Sequence, residues 1–478
     1  MADPLAVLLM RRFDSLYAQR QVWESHWQEI ADFVVPRKAD VTKRRTDGDK
    51  RTELVFDSTA IQAAELLSAS LHGMLTNSAA RWFSLRYRDR DLDSDDAAKE
   101  WLESVEDDMY MTFARSNFQE QIHELYHDLI CFGTSVMFIE QDDENFVRFS
   151  TRHCREIFLS EDSRGRVDTV YRRCIHAVYP RDERDPVKVD NKNKPFASVY
   201  IDPKNKKILS ESGFDEFPYV APRFLKASFE IGYGRSPAMS ALPDIKMINK
   251  MSEVTIRAAQ KQVDPPLLVP DDGFMLPIRT VPGGLNFYRS GTRDRIEPLN
   301  IGANNPLGLN MEEQRRQAIR SAFYVDQLIL SQGPQMTATE VVQRTEEKMR
   351  LLGPVLGRLQ AELLQPLISR VYNLMVRQKT FAAAPDFMRD SQIEIEYVSP
   401  LAKAQKQGDV QSALRMLELF GPLAQLDQQV LDYIDADGMA KYLLKTLSIP
   451  ATTIRGDGEV AQMRSMRQEQ QAQAAEQQ

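Results

Sequence analysis

The sequence predicts a mixed α+β fold in which helices predominate. Apolar residues recur at helical spacing over residues 5–33 and again over 95–132, which predicts helices in both segments. Between residues 135 and 220, short runs rich in Val, Ile, Phe and Tyr alternate with polar turn residues, a pattern typical of β-strands. The dipeptide Ser236-Pro237 then predicts a helix start, because serine caps a first turn and proline fits its first position.

Composition places the chain among globular proteins of two or three domains. The 478 residues are 42% hydrophobic and 27% charged, and no apolar run is long enough to span a bilayer. The apolar stretch at the N-terminus is followed, not preceded, by its basic pair, so it is a poor signal peptide. Three cysteines without metal-ligand spacing indicate reduced thiols and synthesis in the cytosol. They are Cys131, Cys154 and Cys174.

The net charge of −8 excludes an ordinary nucleic-acid-binding protein, which carries a basic face that displaces counterions. Basic residues concentrate between 37 and 53, which predicts a loop that is either solvated or in contact with DNA or an acidic partner. The chain has no Gly-Lys-Ser/Thr phosphate-binding motif, and Gly232-Tyr233-Gly234 lacks the third glycine of a dinucleotide site. We therefore expect no enzymatic activity and no cofactor.

One short motif offers a competing chemistry. His123, Glu124 and His127 match H-E-x-x-H, which on a helix presents two zinc ligands and a general base. This pattern makes a zinc-dependent hydrolase an alternative. Asp128 puts a charge directly after the second histidine, however, and no downstream helix offers a third ligand at suitable spacing. We expect a polar helix face and no metal.

A basic stripe runs along the helix predicted over residues 236–262. Its members lie four, seven and four residues apart and share one face: Lys246, Lys250, Arg257 and Lys261. Glu253 lies within the stripe and can pair with Lys250 and Arg257. The stripe predicts a subunit interface or a DNA-facing lumen, and the alternative is a solvated face. An adjacent apolar stripe contains Met247, Met251, Val254 and Ala258.

The C-terminal half of the chain predicts two more helices around a break. Residues 306–330 return to helical spacing, and Ser331 to Gln335 interrupt it. Thr337 and Glu340 fit a capping box that starts a long helix. Proline inside a helix removes a hydrogen bond, so Gly353-Pro354 predicts a kink.

The segment Phe56–Leu85 reads as a capped helix, a turn and an aromatic strand. Ser58 or Thr59 can cap the helix start, because a side-chain oxygen accepts from the first turn. Small residues along the helix allow close packing. The following strand supplies burial through Trp82, Phe83 and Leu85.

This segment resembles the N-terminal signature of podovirus-type head-to-tail connectors, the portal proteins of short-tailed bacteriophages. Further motifs resemble the same family in the same order along the chain. These are Trp23–Trp27, Cys131–Ser135, Tyr233–Pro237, Val263–Pro266, Met336–Val341 and Ile395–Leu401. A non-viral helical scaffold protein remains the alternative to this resemblance.

The resemblance implies a portal fold of wing, stem, clip and crown in a ring oligomer, expected to be a dodecamer. The implied parts are a wing (1–235), a first stem helix (236–262), a clip (263–305), a second stem helix (306–330), a tunnel loop (331–337), a long kinked helix with a return strand of the wing (338–400), and a crown with the C-terminal tail (401–478).

The resemblance also implies a function. The ring would occupy one vertex of the capsid in the virion, after synthesis in the host cytoplasm, and double-stranded DNA would pass through its axis during packaging and ejection. The implied partners are the major capsid protein, scaffold, terminase and tail or adaptor proteins, without a membrane. Acidic channel walls would let DNA slide, since they bind it weakly.

Particular residues follow from the same resemblance. Those expected near DNA in the tunnel loop are Gln332, Gln335 and Met336. Those expected to dock terminase or tail in the clip are Arg279, Arg289, Arg293 and Arg295.

Overall fold

Helices and antiparallel sheets alternate along the chain, which confirms the predicted mixed α+β fold. The computed structural model describes residues 3–43, 46, 48–88, 96–173, 176–180, 194–264, 267–268, 297–298, 306–328, 352–382, 393–397, 415–416, 438–439, 460 and 462–467. Within that part of the chain, no helix combines the length and apolarity that crossing a membrane requires.

The helices bear out most of the expected positions. They are α1 (Pro4–Phe33), α2 (Thr59–Leu75), α3 (Asp96–Arg115), α4 (Phe118–Phe132), α5 (Pro237–Val263), α6 (Pro306–Ala322), α7 (Val325–Leu328) and α8 (Gln365–Arg377). Residues 352–359 are also helical, and a π-helical turn, Gln360–Leu364, joins them to α8.

The strands form four antiparallel sheets within the described residues. They are β1 (Phe83–Tyr87), β2 (Val136–Asp142), β3 (Phe146–Arg152), β4 (Ile157–Glu161), β5 (Val167–Arg172), β6 (His176–Pro180), β7 (Phe196–Asp202), β8 (Lys207–Phe214), β9 (Tyr219–Val220), β10 (Leu267–Leu268), β11 (Glu297–Pro298) and β12 (Ile393–Tyr397). The sheet orders are β4-β5-β6-β7-β8, β3-β2-β9, β1-β12 and β10-β11.

Helix α1 joins two apolar cores. Its N-terminal half packs on the five-stranded sheet, where the rings of Phe13 and Phe158 have centroids 4.7 Å apart. Its C-terminal half packs in the larger core, where the Trp27 Nε1–H donates to the Phe132 carbonyl at 3.1 Å. The helix therefore fixes the position of the five-stranded sheet against the helical body.

The segment around α2 and β1 folds as expected, with one correction. Ser58 occupies the N-cap position of α2 but makes no side-chain cap hydrogen bond. Instead, the Asp57 carboxylate accepts from the Thr59 N–H at 2.9 Å, because aspartate reaches the amide two residues on. Strand β1 pairs with the return strand β12. The predicted burial is confirmed for Trp82, Phe83 and Leu85.

Two glycines let the end of α4 cross the chain that leads into α5. Gly133 ends α4 with φ +77°, a left-handed conformation that favours glycine. A Cβ atom built there would lie 2.3 Å from the Gly234 carbonyl oxygen. The Gly234 N–H donates to Thr134 Oγ1 at 2.7 Å, so this crossing sets where α5 begins.

One helical prediction needs correction. The helix expected over 306–330 ends at Ala322, because Phe323 turns into the core and Tyr324 takes a left-handed φ of 59°. The kink expected near Gly353 lies at the start of the described residues 352–382 and stays a prediction, and a separate irregular turn occurs at Gln360–Leu364. Because Pro366 has no N–H, it cannot make the hydrogen bond to the carbonyl four residues earlier that an α-helix requires. The wider π-helical turn accommodates the proline. The capping box of Thr337 and Glu340 lies outside the described residues.

Candidate functional site: the helical pair α5–α6

Helix α5 starts at a buried serine, as the sequence predicts. Ser236 Oγ accepts from the Met239 N–H at 3.0 Å and donates to the Cys131 carbonyl at 2.8 Å. Pro237 occupies the first turn, where its missing N–H is not needed. The serine therefore anchors the helix to the end of α4 while it caps it.

Helix α6 packs antiparallel to α5 through polar contacts. Arg315 pairs with Asp244 at 2.8 Å, and further along α5 the Thr255 hydroxyl donates to Glu312 at 2.8 Å. Arg316 extends the contact to Asp57, with 3.0 Å between its Nε and the carboxylate. We call the pair α5–α6 the stem.

The basic stripe of α5 lies on the surface, and most of its members have acidic neighbours. Lys246 pairs with Glu29 of α1 at 3.2 Å. Glu253 pairs with Lys250 at 2.9 Å and with Arg257 at 2.6 Å, which confirms the predicted pairing. The hydrogen bond from Lys250 lowers the pKa of Glu253 below its ordinary value. Lys261 is exposed near the C-terminus of the helix.

Large apolar side chains of the stem are exposed beside this stripe. Val254 is 55% exposed and Val263 is 87% exposed. The remaining exposed members are Met247, Ile256 and Met311. Exposed apolar side chains of this size do not stabilise an isolated subunit, and several of them on one pair of helices are typical of protein–protein contacts. Met247 and Val254 belong to the apolar stripe that the sequence predicted. The sequence analysis did not identify Ile256, Val263 and Met311, because their positions do not follow the spacing of that stripe.

A buried arginine near the start of α5 also escaped the sequence analysis. Arg223 contacts Glu161 of β4, and its Nη2 lies 2.8 Å from the Glu362 carboxylate in the π turn. The same side chain donates to the Gly165 carbonyl at 3.0 Å. It therefore joins the five-stranded sheet, the chain before α5 and the C-terminal helix. Nothing in its sequence neighbourhood distinguishes it from surface arginines.

The other predicted site residues cannot be placed. The tunnel-loop residues Gln332, Gln335 and Met336 lie outside the described residues. The same is true of the clip residues Arg279, Arg289, Arg293 and Arg295. Within the segment expected to form the clip, the described residues are the two short strands β10 and β11, which pair antiparallel.

Of the H-E-x-x-H residues, Glu124 forms an ionic contact with Lys38, which also pairs with the buried Asp128 directly after the motif. Lys38, expected in a basic loop, reaches Glu124 and lies 2.5 Å from the Asp128 carboxylate. Burial lowers the pKa of His127 to about 3, so this histidine is neutral at physiological pH. Among the described side chains, no group of three or more His, Cys, Asp or Glu is placed to hold a metal ion. The charge after the second histidine is thus part of the fold.

Comparison with known families gives one match over most of the chain. The family described as bacteriophage head to tail connecting protein matches residues 6–174 and 173–454. The chain is 34% identical over 516 residues to the probable portal protein of Bordetella phage BPP-1, across 98% of this chain and 92% of the relative. It is 30% identical over 520 residues to the portal protein of Salmonella phage epsilon15, across 100% of this chain and 93% of the relative.

Two more distant similarities are found. The portal protein of Enterobacteria phage T3 is 22% identical over 74% of this chain and 72% of its own length. Among solved structures, a chain in the neck of an empty GTA particle, computed with C6 symmetry, aligns with 87% of this chain and 98% of its own. That alignment has a TM-score of 0.41 and 11% identity.

Proposed function

This chain belongs to the bacteriophage head to tail connecting protein family and is a phage portal protein, and we propose from that premise that it works as a ring at one capsid vertex. The observation that carries the proposal is the similarity along nearly the whole length of two phage portal proteins. The proposed ring is a dodecamer in the virion, assembled from subunits made in the host cytoplasm.

The stem supplies a physical reason for a ring. Apolar side chains such as Val254 and Ile256 are exposed in a single subunit, and a neighbouring copy would remove them from water. Each square ångström of apolar surface so buried contributes about 25 cal/mol. Val254 and Ile256 lie on different faces of α5, because they are two residues apart. We propose that these two faces contact the two neighbouring subunits of the ring. The basic stripe of Lys246, Lys250, Arg257 and Lys261 then lies at the same interface or along the lumen.

The proposed action on DNA is passive. Double-stranded DNA passes along the ring axis, and the net charge of −8 per subunit, multiplied around the ring, disfavours tight binding. We propose that Gln332, Gln335 and Met336 lie closest to the DNA. A separate terminase supplies the energy, and the clip arginines Arg279, Arg289, Arg293 and Arg295 dock terminase first and tail or adaptor proteins later. Scaffold and the major capsid protein are the proposed assembly partners.

Electron microscopy of the purified protein tests the ring. We expect particles with an axial hole from the wild-type chain, alone or after co-expression with scaffold. The double variant Val254→Asp with Ile256→Asp should remain folded and lose the rings. A matched control, Val22→Asp with Leu54→Asp, alters two exposed apolar side chains outside the stem and should keep them. A wild-type chain that stays monomeric in both preparations contradicts the proposal.

Two functional assays test the finer assignments. If residues 332–335 narrow the channel, their deletion should impair DNA packaging or retention while rings still form. Unimpaired packaging and retention would contradict the tunnel-loop assignment.

Arg293→Glu with Arg295→Glu should prevent tail attachment to filled heads. Normal tail attachment by that variant would contradict the docking assignment.

A further inference from the structure

A short loop ahead of α5 exposes three large apolar side chains. Phe229 is 80% exposed and Ile231 is 68% exposed, and Leu225 at the start of the loop is also exposed. Exposed aromatic and aliphatic side chains within one short loop are characteristic of protein contact sites. We call residues 225–231 the knob.

Hydrogen bonds and an ion pair fix the conformation of the knob. Leu225 and Arg235 exchange two backbone hydrogen bonds, of 3.1 and 2.6 Å. Arg235 also pairs with the buried Glu230 at 2.6 Å. The Gly232 N–H donates to Glu161 at 2.8 Å, and its φ of +81° closes the loop. Because the loop is already ordered, a partner that binds it loses little conformational entropy.

An apolar cavity of about 290 Å³ lies elsewhere on the same subunit, between α1 and the five-stranded sheet. Its lining is mostly aliphatic and aromatic. Asp14, Arg172 and Arg173 also line it and could form the polar rim that is common at protein interfaces. A cavity of roughly 150 Å³ accommodates benzene, so this one has room for a phenyl ring and part of a second side chain. The apolar lining comprises Leu9, Met10, Phe13, Tyr17, Tyr171, Ala177, Ile201 and Pro203. We call this cavity the pocket.

Sheet topology places the knob and the pocket at opposite ends of the five-stranded sheet. The knob contacts the hairpin between β4 and β5, since Lys226 lies 2.5 Å from Glu161. The pocket lies where β5 ends and β6 begins, and Ala177 pairs there with Tyr171. Strands of five or six residues are roughly 17–20 Å long. A subunit therefore cannot place its own knob in its own pocket.

We infer that the knob of one subunit occupies the pocket of the next copy of this chain. The inference rests on the proposed ring, which requires a head-to-tail contact between two different surfaces of identical subunits. Phe229 is the anchor that enters the pocket, and Ile231 covers it at the mouth. The knob leads directly into α5, the first of the two stem helices.

A photo-crosslinker at the anchor tests this contact directly. Phe229 is replaced by benzoylphenylalanine, which keeps an aromatic ring, and assembled particles are irradiated and digested for mass spectrometry. We expect a covalent product between subunits, attached to residues 9–17, 171–173 or 201–203. Rings whose product lies on another surface, or on the capsid protein in co-expressed heads, overturn the inference and leave the proposed function standing.

A matched pair of variants gives a second, independent readout. Phe229→Asp should fold normally and require at least about tenfold more protein for half-maximal ring formation, since an anchor in a pocket dominates such contacts. Leu209→Asp is the control, because Leu209 is 70% exposed on β8 and lies outside knob and pocket. Equal ring formation by both variants overturns the inference. Wild-type protein that forms no ring, either alone or after co-expression with scaffold, overturns the proposed function together with it.

Discussion

The two halves of helix α5 are continuous in sequence but differ in what covers them. Up to Ser252 the helix buries one face against α1 and α4, whereas every residue from 253 to 264 is exposed or half-buried. The buried residues of the first half are Pro237, Ala238, Met239, Ala241, Leu242, Ile245, Ile248, Asn249 and Ser252. The second half carries apolar side chains as well, among them Val254, Ile256 and Val263.

This difference separates folding from assembly within a single element. The first half is stabilised by the subunit's own core, and we propose that the exposed apolar side chains of the second half contact another subunit. A helical segment of about a dozen residues is marginal alone, so α6 and the continuous backbone must keep the second half helical before assembly. Perturbations should therefore change stability when they act on the first half or the core, and assembly when they act on the second.

Truncation of a core side chain should have the largest effect on stability. Ile245→Ala removes three methylene equivalents from a fully buried site and should lower the free energy of unfolding by about 2–5 kcal/mol. Its counterpart Ile256→Ala, at a 44% exposed site, should change it by less than about 1 kcal/mol. Urea unfolding of the dissociated subunit measures both. Equal losses would remove the distinction between the two halves.

A pH titration should act on the core and leave the stem unaffected. Burial raises the pKa of Glu106 to about 7, although its carboxylate accepts from the Leu85 N–H at 2.5 Å. A carboxyl with a raised pKa stabilises the fold less as pH rises, because ionisation then costs more in the folded state. The free energy of unfolding of Glu106→Gln, relative to that of wild type, should therefore increase by on the order of 2 kcal/mol between pH 5 and pH 8.

Unfolding of wild type, Glu106→Gln and the exposed control Glu100→Gln at both pH values checks this expectation. The control lies on the same helix and should follow the wild type. A Glu106→Gln curve parallel to the wild type would contradict the raised pKa.

Loss of the cap should have a smaller effect, confined to the start of the first half. Ser236→Ala removes the hydrogen bonds to Met239 and Cys131 and should lower the free energy of unfolding by about 1–2 kcal/mol. Ser240→Ala, at an exposed position of the same helix, should leave it within about 0.5 kcal/mol. Thermal unfolding of the two variants resolves the difference, and equal melting temperatures would refute the capping role.

The surface ion pairs of the second half should have the smallest effect. Glu253→Gln breaks the contacts to Lys250 and Arg257, but exposed pairs are screened by water and salt. We expect no resolvable change in the urea midpoint at physiological ionic strength. A clear loss of stability would mean that these charges support the subunit fold, contrary to the division drawn above.

Local signals in the sequence predicted the elements that position the stem. Ser236 and Pro237 mark the start of α5, and the spacing of Glu253 predicts its two partners, because both depend only on neighbours along one helix. The aromatic and apolar residues at the start of β1 were likewise predicted to be buried, and they are. Family resemblance supplied the identity, which no spacing or composition of this chain contains.

Long-range contacts could not be predicted in the same way. The clamp of Arg223 brings together Glu161 and Glu362, which are far apart in sequence, and the knob is recognised only by its exposure in the folded chain. The link between Glu124 of the H-E-x-x-H motif and Lys38 also depends on tertiary packing. Whether the basic stripe faces the lumen or a neighbour depends on a second subunit and stays a prediction.

Hydrogen–deuterium exchange of α5 in dissociated subunits and in assembled rings tests the central claim most directly. We predict that amide protection of residues 254–263 rises strongly on assembly, while protection of residues 237–248 is already high and changes little. Equal exchange of residues 254–263 in subunit and ring would contradict the assignment of the exposed stem to the interface between portal subunits.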